Sequence, residues 1–141
     1  MSEKYHLEIN GFCPICENET KFIAKGNWFR GTLLCTTCDN GSVPRERALA
    51  LVLNRLAPNW RQKKIHESSP AERGISLKLK KECENYIGSH FFPNQKLGSL
   101  INGFRNENIE ALTFKNDTFD IVITLDVFEH IFEPRLMIQE I

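Results

Sequence analysis

Between residues 44 and 56 the apolar positions Ala48, Leu49, Val52, Leu53 and Leu56 recur at helical spacing. Pro44 suits the first turn of that helix, Ser42 or Val43 its cap, and Pro58 its end. Upstream, Thr20 to Ala24 and Trp28 to Cys35 mix β-branched and aromatic residues around Gly26 and Asn27, which predicts a hairpin. Downstream the pattern alternates. Lys63 to Glu67 reads as a short strand, and Pro70 to Glu84 as a helix opened by Ser68 or Ser69. Asn85 to Phe92 reads as a second strand, followed by a loop rich in Gly and Asn. A short strand around Asn108 to Leu112, the apolar run Phe119 to Leu125 and a helix near Pro134 complete the series. This order is half of an open α/β sheet. With Ala57 to Arg61 as the boundary, residues 1–60 form one unit and residues 61–141 a second.

Four of the five cysteines change what the first unit is. Cys13 and Cys16 form one pair and Cys35 and Cys38 another, with 18 residues between the pairs. A two-residue spacer lets a tight turn aim both thiolates at one ion about 2.3 Å away, and two such turns complete a tetrahedral site. The module is expected to be zinc-ribbon-like, with structural Zn2+ held by all four. A disulfide framework fits poorly with a chain whose N-terminus lacks an apolar export core. A redox motif needs one pair beside a helix start, whereas here two matching pairs occur. Four thiolates close the coordination sphere and leave no position for metal-assisted catalysis. Cys83 stands alone in a helical pattern and is expected to be inert.

Charge excludes some partners. The chain carries 18 basic and 18 acidic residues, so no long-range field recruits nucleic acid or an anionic membrane. Arg30, Arg45 and Arg47 are candidate phosphate ligands on the ribbon, weighed against an ordinary solvated face. Nucleic acid is not an expected partner. No run of about 18 apolar residues exists, so a membrane span is not expected and a cytoplasmic location is.

The stretch from Leu112 to His130, with Asp120-Ile-Val-Ile-Thr-Leu-Asp126 and then Glu129 and His130, carries a family resemblance. It resembles the fourth-strand region of class I S-adenosylmethionine-dependent methyltransferases of the small-molecule type. The stretches His66 to Gly74, Tyr86 to Pro93 and Asn106 to Phe114 resemble a subgroup with an N-terminal cysteine region. The resemblance implies an α/β fold in which a zinc-ribbon-like module precedes the first half, about four strands, of a Rossmann-like methyltransferase sheet. It implies S-adenosylmethionine as cofactor and a small-molecule or sugar-type acceptor.

Such sheets bind ligand beyond the carboxyl ends of the strands, where strand order reverses. The resemblance assigns the cofactor to Glu67, Ser68, Ser69 and Gly74 after the first strand, to His90 after the second, to Asn108 and Ile109 after the third, and to Leu125 and Asp126 after the fourth. Glu67 would pair with the ammonium, and Asn108 would face the adenine amine. Two places depart from the family pattern: Glu67-Ser-Ser-Pro70 stands where a glycine-rich turn is usual, and Ser89-His90 where an acid is usual. No catalytic residue is assigned. The chain is expected to stop short of the strands that complete the sheet. Self-association or a partner chain at the open sheet edge, and little turnover, are the expected consequences. A second reading stays open: a zinc-ribbon module for protein or nucleic-acid interaction, carrying a vestigial methyltransferase half.

Overall fold

The structure, a computed structural model, describes residues 6–141. The first five positions of the expected 1–60 module, with the reading of them as free of a leader, lie outside the described residues. The chain divides into two compact units, Met1–Asn59 with Ala71–Leu79, and Trp60–Pro70 with Lys80–Ile141.

In the first unit, β1 (His6–Cys13) pairs antiparallel along its whole length with β2 (Asn18–Lys25). Their connection is the first cysteine turn, closed by the Glu17 N–H donating to Cys13 O at 2.8 Å, with Glu17 left-handed at φ 57°. The expected hairpin between 20 and 35 is present but short, with Phe22 opposite Cys35 and Ile23 opposite Leu34, and the longer partner of β2 lies before it. Residues after Gly26 turn into a short helix, α1 (Phe29–Thr32), and only β3 (Leu34–Cys35) returns to the sheet, setting Cys35 opposite Phe22. Local bonds explain the difference. The N–H groups of Thr32 and Leu33 find Trp28 O and Phe29 O at 3.1 Å, so this backbone is satisfied without a ladder.

α2 (Pro44–Leu56) matches the expected span. Val43, in extended conformation, precedes it, and its N–H donates to Glu46 Oε2 at 2.9 Å. The buried face, however, is Glu46, Ala50 and Leu53, while Val52 and Leu56 are exposed. The stripe is rotated from the apolar one because Glu46 is drawn inward by polar partners.

The second unit is built on a five-stranded sheet in the order β6-β7-β5-β4-β8. β4 (Lys64–Ser68), β5 (Asn85–His90), β7 (Phe104–Asn106) and β8 (Ile121–Thr124) run parallel, and β6 (Leu100–Ile101) is antiparallel to β7. Chain order thus runs outward from β4 through β5 to β7, then jumps back to β8 on the other flank. The reversal falls between β4 and β8. The third parallel strand lies at 104–106 rather than at 108–112, where only an isolated bridge joins Asn108 to Ala111. A tight turn at Asn102 (φ 51°) and Gly103 (φ 83°) forms the β6–β7 hairpin. Two consecutive left-handed residues are the form that matches strand twist, and Gly adopts it without cost.

α3 (Gly74–Glu82) begins four residues later than expected, and α4 (Pro134–Glu140) begins where expected. Ile109, Val127 and Met137 form a buried cluster with Ile131 against it. The architecture is mixed α/β, a cysteine-clustered module followed by a partial Rossmann-like sheet. Among the described residues, no helix is long and apolar enough to cross a membrane.

Candidate metal centre and cofactor cleft

The β1–β2 turn supplies Cys13 and Cys16, and β3 with the turn after it supplies Cys35 and Cys38. Because β2 pairs with both β1 and β3, the two cysteine turns meet at one end of this small sheet. All four sulfurs lie within 4.8 Å of one another. Cys13 Sγ is 3.6 Å from Cys38 Sγ, and Cys16 Sγ is 3.8 Å from Cys35 Sγ. Bonds of about 2.3 Å to a tetrahedral ion would place sulfurs about 3.8 Å apart, whereas a disulfide needs about 2.05 Å. The cluster therefore fits a four-thiolate ion.

Surrounding groups suit thiolates. The N–H groups of Thr37 and Cys38 each donate to Cys35 Sγ at 3.4 Å. Burial raises the Cys35 thiol, but these donors outweigh it and hold it at about 7. Burial and the neighbouring Cys13 raise Cys16; for Cys38, burial is the largest cause of a large upward shift, so with no ion present the cluster keeps protons that a cation would displace. Ser42 Oγ lies 3.9 Å from Cys13 Sγ. Arg47 donates from Nη1 to Leu33 O at 3.2 Å and to Ser42 Oγ at 3.4 Å, and its guanidinium lies 4.4 Å from the Phe22 ring centroid. Of the three arginines considered for phosphate, Arg47 is thus engaged inside the module, while Arg45 donates to Arg30 O at 3.4 Å.

Several of the residues expected to meet the cofactor fall at the carboxyl ends of the parallel strands. Ser68 ends β4 and Ser69 follows it, His90 ends β5, and Leu125 and Asp126 follow β8, which brings these five to one end of the sheet. Ser69 (φ 55°) and Asp126 (φ 53°) are both left-handed although neither is glycine. The conformation is uncommon for serine and easier for aspartate, and each residue turns the chain sharply at its strand end. Ser69 also donates its N–H to Ser89 O at 2.7 Å, which ties the turn after β4 to the neighbouring strand β5.

The remaining assigned residues are placed differently. Glu67 is buried and accepts the Tyr86 hydroxyl at 2.7 Å from Oε2, so its carboxylate is engaged within the sheet layer. Gly74 is the first residue of α3, with φ 48° and its N–H on Asp39 O at 3.3 Å. A Cβ there would sit 2.8 Å from Glu46 Oε2, so packing accounts for this glycine without a ligand. Ile109 is a member of the buried apolar cluster. Asn108 Oδ1, the atom expected to face an adenine amine, already accepts the Glu110 N–H at 3.0 Å.

Three polar groups escaped the sequence reading. Asn106 is fully buried; its Oδ1 accepts Phe92 N–H at 2.8 Å, and its Nδ2 donates to Gln95 O at 3.0 Å, tying down the loop after β5. Glu107 accepts Arg105 Nε at 2.5 Å and Thr113 N–H at 2.8 Å. His66, wholly buried in β4, holds Ser89 Oγ at 2.8 Å through Nε2, and Nδ1 has no hydrogen-bond partner among the described residues. Burial pushes His66 down to about 4, despite the attraction of Glu107, so it is neutral at pH 7. Each lies on a strand or directly after one, where polarity inside an expected apolar layer is the only available signal.

Residues 75–141 match the family model described as a methyltransferase domain. No curated protein and no solved structure matches the chain. The matched segment holds β5 to β8 with His90, Asn108, Ile109, Leu125 and Asp126, whereas β4 and the turn after it lie upstream of it.

Proposed function

From a methyltransferase domain at residues 75–141, we infer that this chain binds S-adenosylmethionine at the reversal between β4 and β8, in the service of methyl transfer to a small-molecule acceptor. The observation that carries the reading is the pair of left-handed non-glycine residues, Ser69 and Asp126, at the ends of the two adjacent strands that flank the reversal. When bound, the cofactor supplies an electrophilic methyl group. The chain's own part is to bind and orient. Ser68 and Ser69 offer hydroxyls, the Asp126 carboxylate suits hydroxyls or an ammonium, and His90 offers a ring nitrogen. Methyl transfer to a ready nucleophile needs mainly in-line positioning, so no general base is assigned.

We read the four-cysteine cluster as a structural zinc site, since its sulfur spacings suit a tetrahedral ion and four thiolates leave no open position. Four free thiols gathered in one cluster also suit a reducing compartment such as the cytoplasm. A small acceptor is favoured over nucleic acid by the balanced charge and by the internal engagement of Arg47. The test is calorimetric titration of the zinc-loaded chain with S-adenosylhomocysteine. Saturable heat at one site per chain supports the reading, and its absence at millimolar ligand sinks it.

A further inference from the structure

The turn that follows β4 is gripped by the metal module. Residues Ala71–Leu79 belong to the same compact unit as the four cysteines. Three consecutive residues make the attachment. Glu72 O accepts Asn40 Nδ2 at 2.9 Å, Arg73 Nε donates to Glu46 Oε1 at 2.8 Å, and Gly74 N–H donates to Asp39 O at 3.3 Å. The receiving segment starts one residue after Cys38. It is itself pinned there, since Gly41 N–H donates to Cys38 O at 2.8 Å. Glu46 is 2 % exposed and also accepts Val43 N–H, so the carboxylate end of the Arg73 pair is desolvated and held by the start of α2, while Arg73 itself is partly exposed. Only Pro70 and Ala71 separate this grip from Ser69.

We propose that metal occupancy of the four-cysteine site sets the order of the Ser69–Gly74 turn and thereby the affinity for cofactor. The part about affinity rests on the cofactor reading given above. With the ion bound, Cys38 is fixed, Asp39 and Asn40 are presented as acceptor and donor, and Glu72 to Gly74 are held. With the ion removed, the segment after Cys38 loses its anchor and the turn is released. A module with closed coordination thus acts on ligand binding through hydrogen bonds made by the residues next to its last ligand.

The test uses the full chain in three forms: zinc-loaded, chelated, and zinc-loaded carrying both Asn40→Ala and Arg73→Met. Hydrogen exchange at the amides of residues 72–75 and the dissociation constant for S-adenosylhomocysteine are read on each. About tenfold faster exchange and tenfold weaker binding are expected in both the chelated and the doubly substituted chains, the latter still holding one zinc. The doubly substituted chain keeps the readout meaningful if chelation unfolds the module. Exchange at 72–75 that is equally slow in the loaded wild-type and substituted chains overturns the proposal. So does released exchange with unchanged affinity. Failure of the loaded wild-type chain to bind ligand would count against the cofactor reading alone, and exchange would then decide whether the grip exists.

Discussion

The Tyr86 hydroxyl on β5 donates to Glu67 Oε2 on β4 across 2.7 Å. Gly88, opposite Glu67 in the register, leaves room for it: a Cβ there would lie 3.1 Å from that hydroxyl. Tyr86→Phe would leave a buried carboxylate short of a donor. The expected cost is about 1–3 kcal/mol, read as a lower urea midpoint with an unchanged slope. A midpoint equal to wild type would show that the bond adds nothing to stability.

The metal centre makes a stoichiometric prediction. The purified chain should carry one zinc, and cobalt in its place should give the intense visible absorption of a tetrahedral thiolate site. Cys35→Ser or Cys38→Ser should abolish both and loosen the fold of the first unit, because binding free energy is folding free energy in so small a module. Metal content that survives either substitution would contradict the four-ligand assignment.

His66 predicts a pH dependence. Its folded pKa of about 4 lies below the ordinary value of 6.5, so between the two the unfolded chain binds more protons. Its contribution is complete above pH 6.5 and is lost as pH falls toward 4, by about 2 kcal/mol at pH 5. His66→Gln keeps an acceptor for Ser89 and does not titrate, so the difference between the two unfolding curves isolates this group. Parallel stability curves for both chains between pH 7.5 and 5 would refute the assignment.

Asn106 predicts a local effect. Asn106→Ala removes the bonds to Phe92 and Gln95 and leaves those backbone groups to find water. Proteolysis within residues 91–99 should become several-fold faster, at a stability cost of about 1–3 kcal/mol. Unchanged cleavage would mean that the loop is held by other contacts.

What was legible in the chain follows from where each signal resides. The cysteine cluster was fully readable, because ligand spacing is local chemistry. α2, β8 and the start of α4 were readable from proline placement and apolar runs. The helix expected from Pro70 was not, since Glu72, Arg73 and Gly74 make long-range bonds to Asp39, Asn40 and Glu46, and these hold residues 70–73 outside the helix. The hairpin at Asn102 and Gly103 announced itself in the strongest short-range turn signal known. Its strands are only two and three residues long, too short to show an alternating pattern, so the segment reads as a loop rich in Gly and Asn. The pairing of Tyr86 with Glu67 depends on the register of two strands joined through α3, which no local pattern specifies.

Cofactor held at the reversal between β4 and β8 would touch the backbone there, and resonance assignment of an isotope-labelled, zinc-loaded chain reads those amides one by one. On titration with S-adenosylhomocysteine, the amides of Ser68, Ser69 and Asp126 should shift together and saturably, with His90 following. Shifts confined to other parts of the chain, or none at millimolar ligand, would mean that no cofactor is held at this reversal.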